Sequence, residues 1–310
     1  MKKIYRFSIR ILQSILVMFI FNNVFGQQQP QYTQYMYNTI SINSGYTGTS
    51  TNLEGVLLHR SQWIGIDGAP TTQSLGIHGK IGDYTGLGLS VINDRIGPQT
   101  QQYFNANFAY RIQMSENTTL SLGVNAGINL LNIDWSKGTY KMETDNAFNT
   151  NVNNNTRLIF GTGGFLYNEN WYIGISIPNF IISESYDDIS ESIIRRKTHY
   201  YLQGGYVFNL SDNIKFKPAF LVKIVEGSSV TYDGSLNFLL YEKFTIGAGY
   251  RFTDAVSALA GFQITNSIFV GYSYDRSITE LQKYNDGSHE IILKFNLNGK
   301  TKLARSPRFF

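Results

Sequence analysis

Cysteine is absent from this chain of 310 residues. The absence excludes disulfide bonds and lipid attachment through an N-terminal cysteine. Proline occurs only 6 times, charged residues make up 15%, and no run after residue 26 reaches the roughly 18 apolar residues that a membrane-spanning helix needs. A long exported chain without disulfides or helical spans therefore needs a large core or a closed sheet to be stable.

Patterns typical of catalytic sites are also absent. The sequence has no Gly-x-Ser-x-Gly, no His-Glu-x-x-His and no phosphate-binding glycine-rich loop. The histidines are scattered without metal-ligand spacing, although His59 and His78 could approach each other on neighbouring strands. We therefore predict a protein without catalytic residues, cofactor or metal. An enzyme that assembles its site from several distant strands is the alternative.

The first 26 residues are typical of an export signal. Basic residues precede a short apolar stretch at 11–21 that is interrupted only by Gln13 and Ser14. Cleavage after Gly26 would begin the mature chain at Gln27, and an uncleaved amphipathic anchor is the alternative. Without this segment, 22 Lys+Arg balance 22 Asp+Glu, so the charge gives no support for nucleic acid binding. The basic residues of the signal are Lys2, Lys3, Arg6 and Arg10.

Alternation of apolar and polar residues recurs along most of the remaining chain. Between 119 and 130, aliphatic side chains fall on one face of an extended strand and small or polar ones on the other. A membrane barrel needs this pattern, with aliphatic groups toward lipid and polar groups toward a lumen. The aliphatic face comprises Leu120, Leu122, Val124, Ala126, Ile128 and Leu130.

Two further runs extend the pattern. Phe104 and Phe108 alternate with polar residues such as Asn105, and Lys217 and Lys223 alternate with apolar residues on a later run. A lysine facing lipid at mid-depth would cost about 2–4 kcal/mol, so we expect these lysines to face water.

In total, 14 runs predict an all-β fold: a transmembrane outer-membrane β-barrel of about 14 antiparallel strands within 53–298. A soluble all-β fold is the alternative, because soluble antiparallel sheets alternate as well. The predicted strands lie near 53–60, 72–80, 84–93, 102–113, 118–133, 157–168, 171–177, 199–209, 214–225, 229–239, 244–251, 256–263, 268–274 and 289–296.

The predicted links differ in length by parity. Links after even-numbered strands are all short, whereas the long links 61–71, 94–101, 134–156, 178–198 and 275–288 follow odd-numbered strands. Outer-membrane barrels show this asymmetry, with the short turns in the periplasm, and an even strand count returns both barrel ends there. Residues 27–52 precede the first strand as a periplasmic tail or a plug, and 299–310 form a C-terminal tail.

Three blocks of the sequence resemble the PorP/SprF family. The first runs from Pro30 to Asn38 and continues through 43–48, with Thr39 in place of the family's first proline and Ser44-Gly45 in place of Pro-Ala. The other two are the Arg-Ser-Gln-Trp to Gly-Ala-Pro block at 60–70 and the block at 86–97. The resemblance implies structural or partner-contact roles for Gln34, Tyr35, Met36, Asn38, Arg60, Gln62, Trp63, Gly68, Ala69, Pro70, Asp94 and Gly97.

For these residues we favour architectural roles over direct partner contact. Arg60 falls on the same face as Val56 and Leu58 if strict alternation continues, which would place it toward lipid. At the membrane interface such an arginine could snorkel to water. We favour the alternative that a local bulge turns it inward, where it would meet a carboxylate such as Glu54 or Asp94. Trp63 is expected at the membrane interface, and the Gly-Ala-Pro step is expected to turn the loop.

The family resemblance also implies a function. PorP/SprF proteins serve the type IX secretion system of Bacteroidota; one branch links the outer membrane to periplasmic components, and the other supports export and surface retention of secreted adhesins. We favour the adhesin branch, and expect outer-membrane lipid and a secreted adhesin or periplasmic component as partners. The alternative is a FadL-like passive transporter of small or hydrophobic solutes. The lumen distinguishes the two functions, because a transporter needs a continuous path through the barrel.

Overall fold

The computed structural model describes residues 29–50, 52–137, 151–180 and 198–297, which form one closed antiparallel barrel. None of the helices in these ranges has the length and apolar character to cross a membrane. The strands are β1 (Leu53–Ser61), β2 (Thr71–Lys80), β3 (Thr85–Ile96), β4 (Gln99–Gln113), β5 (Thr119–Ile133), β6 (Val152–Tyr167), β7 (Trp171–Phe180), β8 (His199–Tyr206), β9 (Phe208–Ser211), β10 (Ile214–Val225), β11 (Thr231–Leu240), β12 (Phe244–Arg251), β13 (Ala255–Thr265), β14 (Ile268–Ser277) and β15 (Ser288–Leu297).

Each strand pairs with its neighbours in the sequence, and the ring closes between the first and last strands. β1 pairs with β15 from Leu53–Leu297 to Ser61–His289. β8 and β9 are two parts of one strand interrupted at Val207, and both pair with β10. The barrel therefore has 14 strand positions, as predicted. A closed sheet leaves no edge whose backbone groups would meet lipid unpaired.

The two faces of the wall differ as the alternation predicts. On β5, Leu122 and Val124 are exposed on the outside while Ser121 and Asn125 are buried on the lumen side. β4 repeats the arrangement, with Phe104 and Phe108 outside and Asn107 inside. An apolar outer face around a closed barrel is the structure of an outer-membrane protein. The predicted fold class and location are therefore confirmed.

One predicted long link is wrong. Only Gly97 and Pro98 separate β3 from β4, where the sequence indicated a link at 94–101. The alternation fades there because polar residues occupy the outer face, but the backbone pairing continues through Ile96–Gln99. Side-chain amides stabilise this extension, since Asn93 bonds to Gln73 and Gln102 bonds to Asn93, both at 3.1 Å. β6 likewise begins at Val152, earlier than predicted.

The link lengths define two ends of the barrel. The end with the short links 81–84, 114–118, 168–170, 212–213, 241–243 and 266–267 is called the periplasmic mouth, and the other end the outer mouth. Two of the predicted long links, at 134–156 and 178–198, fall partly outside the described residues, and the predicted signal and C-terminal tail lie entirely outside them.

Residues 29–50, here called the plug, lie inside the barrel. Gln29 lies at the outer mouth, where its backbone N–H donates to His199 at the start of β8. Gly48 lies near the periplasmic mouth, where its N–H donates to His78 of β2. The segment therefore descends the lumen before β1 begins. Gln29 therefore lies at the opposite mouth from Leu53.

Candidate functional site: the plugged lumen

The plug is uncharged, and it is rich in amide, hydroxyl and tyrosine groups. From Tyr32 to Ser50 every side chain is buried except Ser41, which is half-buried. Two short 3-10 helices, Thr39–Ser41 and Ser44–Tyr46, compact the middle of the segment. A segment without charge can enter a closed lumen without a desolvation cost for ions. Some of its polar side chains hydrogen-bond to the barrel wall, as Asn38 does to Ser74 and Asn43 does to the Gly164 carbonyl.

The upper part of the plug is held by Arg60. Its side chain is 1% exposed and reaches Asp275 at 2.7 Å and Glu290 at 3.2 Å. The same guanidinium donates to the Thr33 hydroxyl of the plug at 2.9 Å. Thr33 in turn donates from its hydroxyl to Asp275 at 2.5 Å. Three strands and the plug therefore meet in one buried network of charge-assisted hydrogen bonds.

Glu290 connects this network to the plug backbone. Its carboxylate accepts the N–H of Thr33 at 2.9 Å and the N–H of Gln34 at 2.8 Å. The Gln34 amide also donates to the Glu290 carbonyl at 3.4 Å. Because Glu290 is fully buried, these bonds fix the plug at a site from which water is excluded.

The inward orientation of Arg60 is as expected, but the expected bulge and partners are wrong. β1 alternates regularly, with Glu54, Val56, Leu58 and Arg60 all buried on the lumen side. Asp94 instead accepts from the Thr72 hydroxyl at 2.6 Å. Val56 and Leu58 were expected to face lipid, and they face inward because the plug supplies an apolar surface that includes Ile40.

The lower part of the plug contacts β1 and β2. Tyr46 donates to Glu54 at 3.1 Å, and Glu54 lies 3.7 Å from both His78 and Lys294. The Gly48 N–H donates to Nδ1 of His78 at 3.1 Å. Arg111 of β4 donates to the Gly48 carbonyl and also to the carbonyls of Gly82 and Asp83 in the β2–β3 turn. The plug is thus fixed at both mouths.

Glycines of the wall make room for the plug backbone. A Cβ on Gly123 would collide with the backbone of Ser44 and Gly45, and one on Gly163 would collide with the Asn43 side chain. A Cβ on Gly45 would lie 2.9 Å from the Gly163 carbonyl oxygen. Backbones approach this closely only where no side chain intervenes, so these glycines fix where the plug lies against β5 and β6.

Lysines of β10 also face the lumen, as expected. Lys217 is fully buried, and its Nζ lies 5.7 Å from the ring centre of Tyr37 and 5.8 Å from that of Tyr172. Lys223 donates to the plug residue Gln31 at 3.2 Å. The aromatic rings and amides around the plug therefore replace the water that these ammonium groups were expected to contact.

The structure brings the four predicted residues of the first block into the lumen. Tyr35 hydrogen-bonds to Ser235 at 3.3 Å, and the Asn38 amide donates to Ser74 at 3.0 Å. Met36 packs in the aromatic core of the plug. With Gln34 on Glu290, all four residues contact the barrel wall or the core between plug and wall.

Apart from the inward-facing Arg60 and Asp94, the predicted residues of the second and third blocks lie in the outer loop between β1 and β2 and in the adjoining β3–β4 turn. The Gln62 N–H donates to the Pro70 carbonyl at 2.9 Å, and the Ala69 N–H donates to the Ile66 carbonyl at 3.2 Å. The Gly68 carbonyl accepts the Gly97 N–H at 2.8 Å, which joins this loop to the β3–β4 turn. Trp63 has φ +48, Gly68 has φ +74 and Gly97 has φ +54.

The histidines do not form a site. His59 is exposed on the outside of β1, whereas His78 is buried in the lumen, so the two do not meet. Within the described ranges, no group of three or more metal-ligating side chains is placed to hold an ion.

Sequence reasoning missed the two acidic partners of Arg60. Asp275 and Glu290 alternate with outward residues such as Arg276 and Ile291, and this places them on the lumen face. The alternation alone could have identified them as buried carboxylates that need a cation. Which cation they meet depends on the closure of β15 onto β1, because Glu290 lies opposite Arg60 only in the closed ring.

Comparison with known proteins adds the family. Curated proteins give no match. Solved structures with a similar arrangement include the outer membrane protein Omp33 of Acinetobacter baumannii, at 10% identity and a TM-score of 0.47, covering 79% of this chain and 99% of that one. The Ralstonia pickettii toluene transporter TbuX shows 8% identity and a TM-score of 0.47, covering 85% of this chain and 93% of that one.

A Pseudomonas aeruginosa FadL homologue shows 10% identity and a TM-score of 0.43, covering 86% of this chain and 95% of that one. Identities this low carry no information about substrates. The sequence profile described as "Type IX secretion system membrane protein PorP/SprF" matches residues 24–295. This chain therefore belongs to the PorP/SprF family of type IX secretion system membrane proteins.

Proposed function

We propose that this protein acts in type IX secretion as a closed outer-membrane partner that supports export or surface attachment of a secreted adhesin, and that it does so by protein contact rather than by transport or catalysis. The observation that carries the proposal is the plug. A passive transporter needs a path through the barrel, and here an uncharged segment is held along the lumen from one mouth to the other.

The strength of the attachment supports a permanently closed barrel. The upper plug is held by a buried ion network, and its middle packs tyrosine and isoleucine side chains against the wall. Fully burying an apolar side chain of this size stabilises a fold by about 1.5–3 kcal/mol. A cavity beside Tyr32 between plug and wall has a volume of about 20 Å³, which is room for about one water. Solute passage would require the plug to leave the lumen.

The adhesin branch of the family is our preferred assignment. A closed barrel offers a partner its outer loops and its periplasmic turns. The outer loops are the more structured surface, because the β1–β2 loop and the β14–β15 link are joined by backbone hydrogen bonds between Ile64 and residues 286–287. A secreted adhesin that stays at the cell surface would meet this side.

Conductance and surface display together test the proposal. Purified wild-type protein in planar bilayers is expected to show no steady conductance, and removal of 29–50 is expected to open a pore. Deletion of the gene is expected to remove a subset of type IX cargo from the cell surface while general secretion continues. Loss of all type IX cargo would assign the protein to the branch that links periplasmic components. If the purified wild-type protein conducts and the deletion strain displays every cargo normally, a passive transporter is favoured and the proposal is overturned.

A further inference from the structure

A pocket of about 310 Å³ lies on the outside of the barrel near the outer mouth, between the β1–β2 loop and the β3–β4 turn. Its lining includes Trp63, Ile64, Ile66, Asp67 and Arg95. Arg95 follows the inward-facing Asp94 on β3, so its side chain is on the opposite, exposed face. The pocket is therefore separate from the plugged lumen.

The pocket is built by fixed backbone. Ile64 donates its N–H to the Gly287 carbonyl at 2.9 Å and accepts the Asp286 N–H at 2.8 Å, so the loop is tied to the β14–β15 link. On its other side it is tied to Gly97 of the β3–β4 turn. Trp63 is held at φ +48, a conformation that bulky residues rarely adopt. Strain of this kind persists only where the surroundings hold it, and it is concentrated at functional sites.

The chemistry of the lining combines apolar surface with one charge of each sign. Ile64 is 38% exposed. Neither Arg95 nor Asp67 takes part in an ion pair with another described residue, and Asp67 is exposed on the same pocket. An uncompensated guanidinium beside isoleucine and tryptophan fits a ligand that carries a carboxylate next to an apolar group.

We propose that this pocket binds a segment of the secreted client that presents a carboxylate to Arg95 and an apolar side chain to Ile64 and Trp63. The inference rests on the function proposed above and names the contact through which it acts. Phosphate groups of outer-leaflet lipid could also reach Arg95. A polypeptide fits better, because Asp67 repels a polyanionic head group and can accept a backbone N–H or a cationic side chain of a peptide.

The test uses Arg95→Glu in the full-length protein in its native strain. Arg276→Glu is the matched control, because Arg276 is an exposed, outward-facing arginine on β14. The client is defined as the cargo whose surface display requires this gene. We expect Arg95→Glu to reduce its display at least about tenfold, equivalent to about 1.4 kcal/mol, with unchanged amounts of folded barrel. Arg276→Glu should leave display within about twofold of wild type.

A photo-crosslinking residue at position 64 provides the second readout, with position 57 on the lipid-facing side as control. An adduct with the client from position 64 that is lost in Arg95→Glu supports the pocket. Normal client display in Arg95→Glu, or adducts with lipid alone, would overturn the pocket even if deletion of the gene still removes the client. If deletion of the gene removes no cargo, the proposed function fails and the pocket assignment fails with it.

Discussion

Replacement of Arg60 by alanine tests the buried network most directly. The guanidinium contacts Asp275 at 2.7 Å, Glu290 at 3.2 Å and the Thr33 hydroxyl at 2.9 Å. Its removal would leave two carboxylates that are 2% and 0% exposed without their cation. Because breaking a buried pair on one side costs about 3–5 kcal/mol, we expect Arg60→Ala to lower the free energy of unfolding by that amount.

The second consequence concerns the plug. Glu290 accepts the backbone N–H groups of Thr33 and Gln34 while Arg60 neutralises it. Without Arg60 the carboxylate either takes up a proton or repels Asp275, and both outcomes weaken its hold on the plug. We therefore expect transient conductance in planar bilayers from Arg60→Ala, where the wild-type protein is closed.

The assay is a urea titration of the barrel in detergent, with the folded fraction read from heat-modifiable gel mobility. Arg276→Ala is the control, because this arginine neighbours Asp275 in sequence but is exposed on the outside of the barrel. A surface substitution of this kind changes the free energy of unfolding by no more than about 0.5 kcal/mol. Lys217→Ala should cost less than Arg60→Ala, because it removes cation–aromatic contacts worth about 0.5–2 kcal/mol. If Arg60→Ala were as stable as Arg276→Ala and equally closed, the network would not hold the plug.

Two further predictions concern plug fit and topology. Gly123→Val should displace the plug and raise conductance, because the valine side chain would collide with the backbone of Ser44 and Gly45. Gly234→Val is the control and should stay closed, because no atom lies within 4 Å of its Cβ position. Equal conductance of the two variants would contradict the close fit of the plug against β5. Epitopes inserted directly before Gln29 or directly after Lys137 should be labelled on intact cells, whereas epitopes within 114–117 should not. Labelling of the epitopes within 114–117 alone would reverse the assigned orientation.

The sequence by itself determined the wall of the barrel. Side chains of a strand alternate between faces with a period of two, so a run such as 119–130 fixes which residues share a face regardless of what the strand pairs with. The same local rule predicted the strands, and the charge of Lys217 indicated which face turns inward. The assignment of a face to lipid failed at Val56 and Leu58, because alternation defines two faces but does not state which of them meets lipid when the lumen itself is apolar.

Only the tertiary structure decided what fills the lumen. The plug has no strand period, and its composition suits a tail as well as a buried segment. Its position depends on contacts between residues more than 200 positions apart, such as Thr33 with Glu290 and Gln31 with Asp233. These contacts exist only after β15 closes onto β1 and the glycines of β5 and β6 admit the plug backbone. A pattern read along the chain carries no information about that closure, because the distances that matter are set across the lumen.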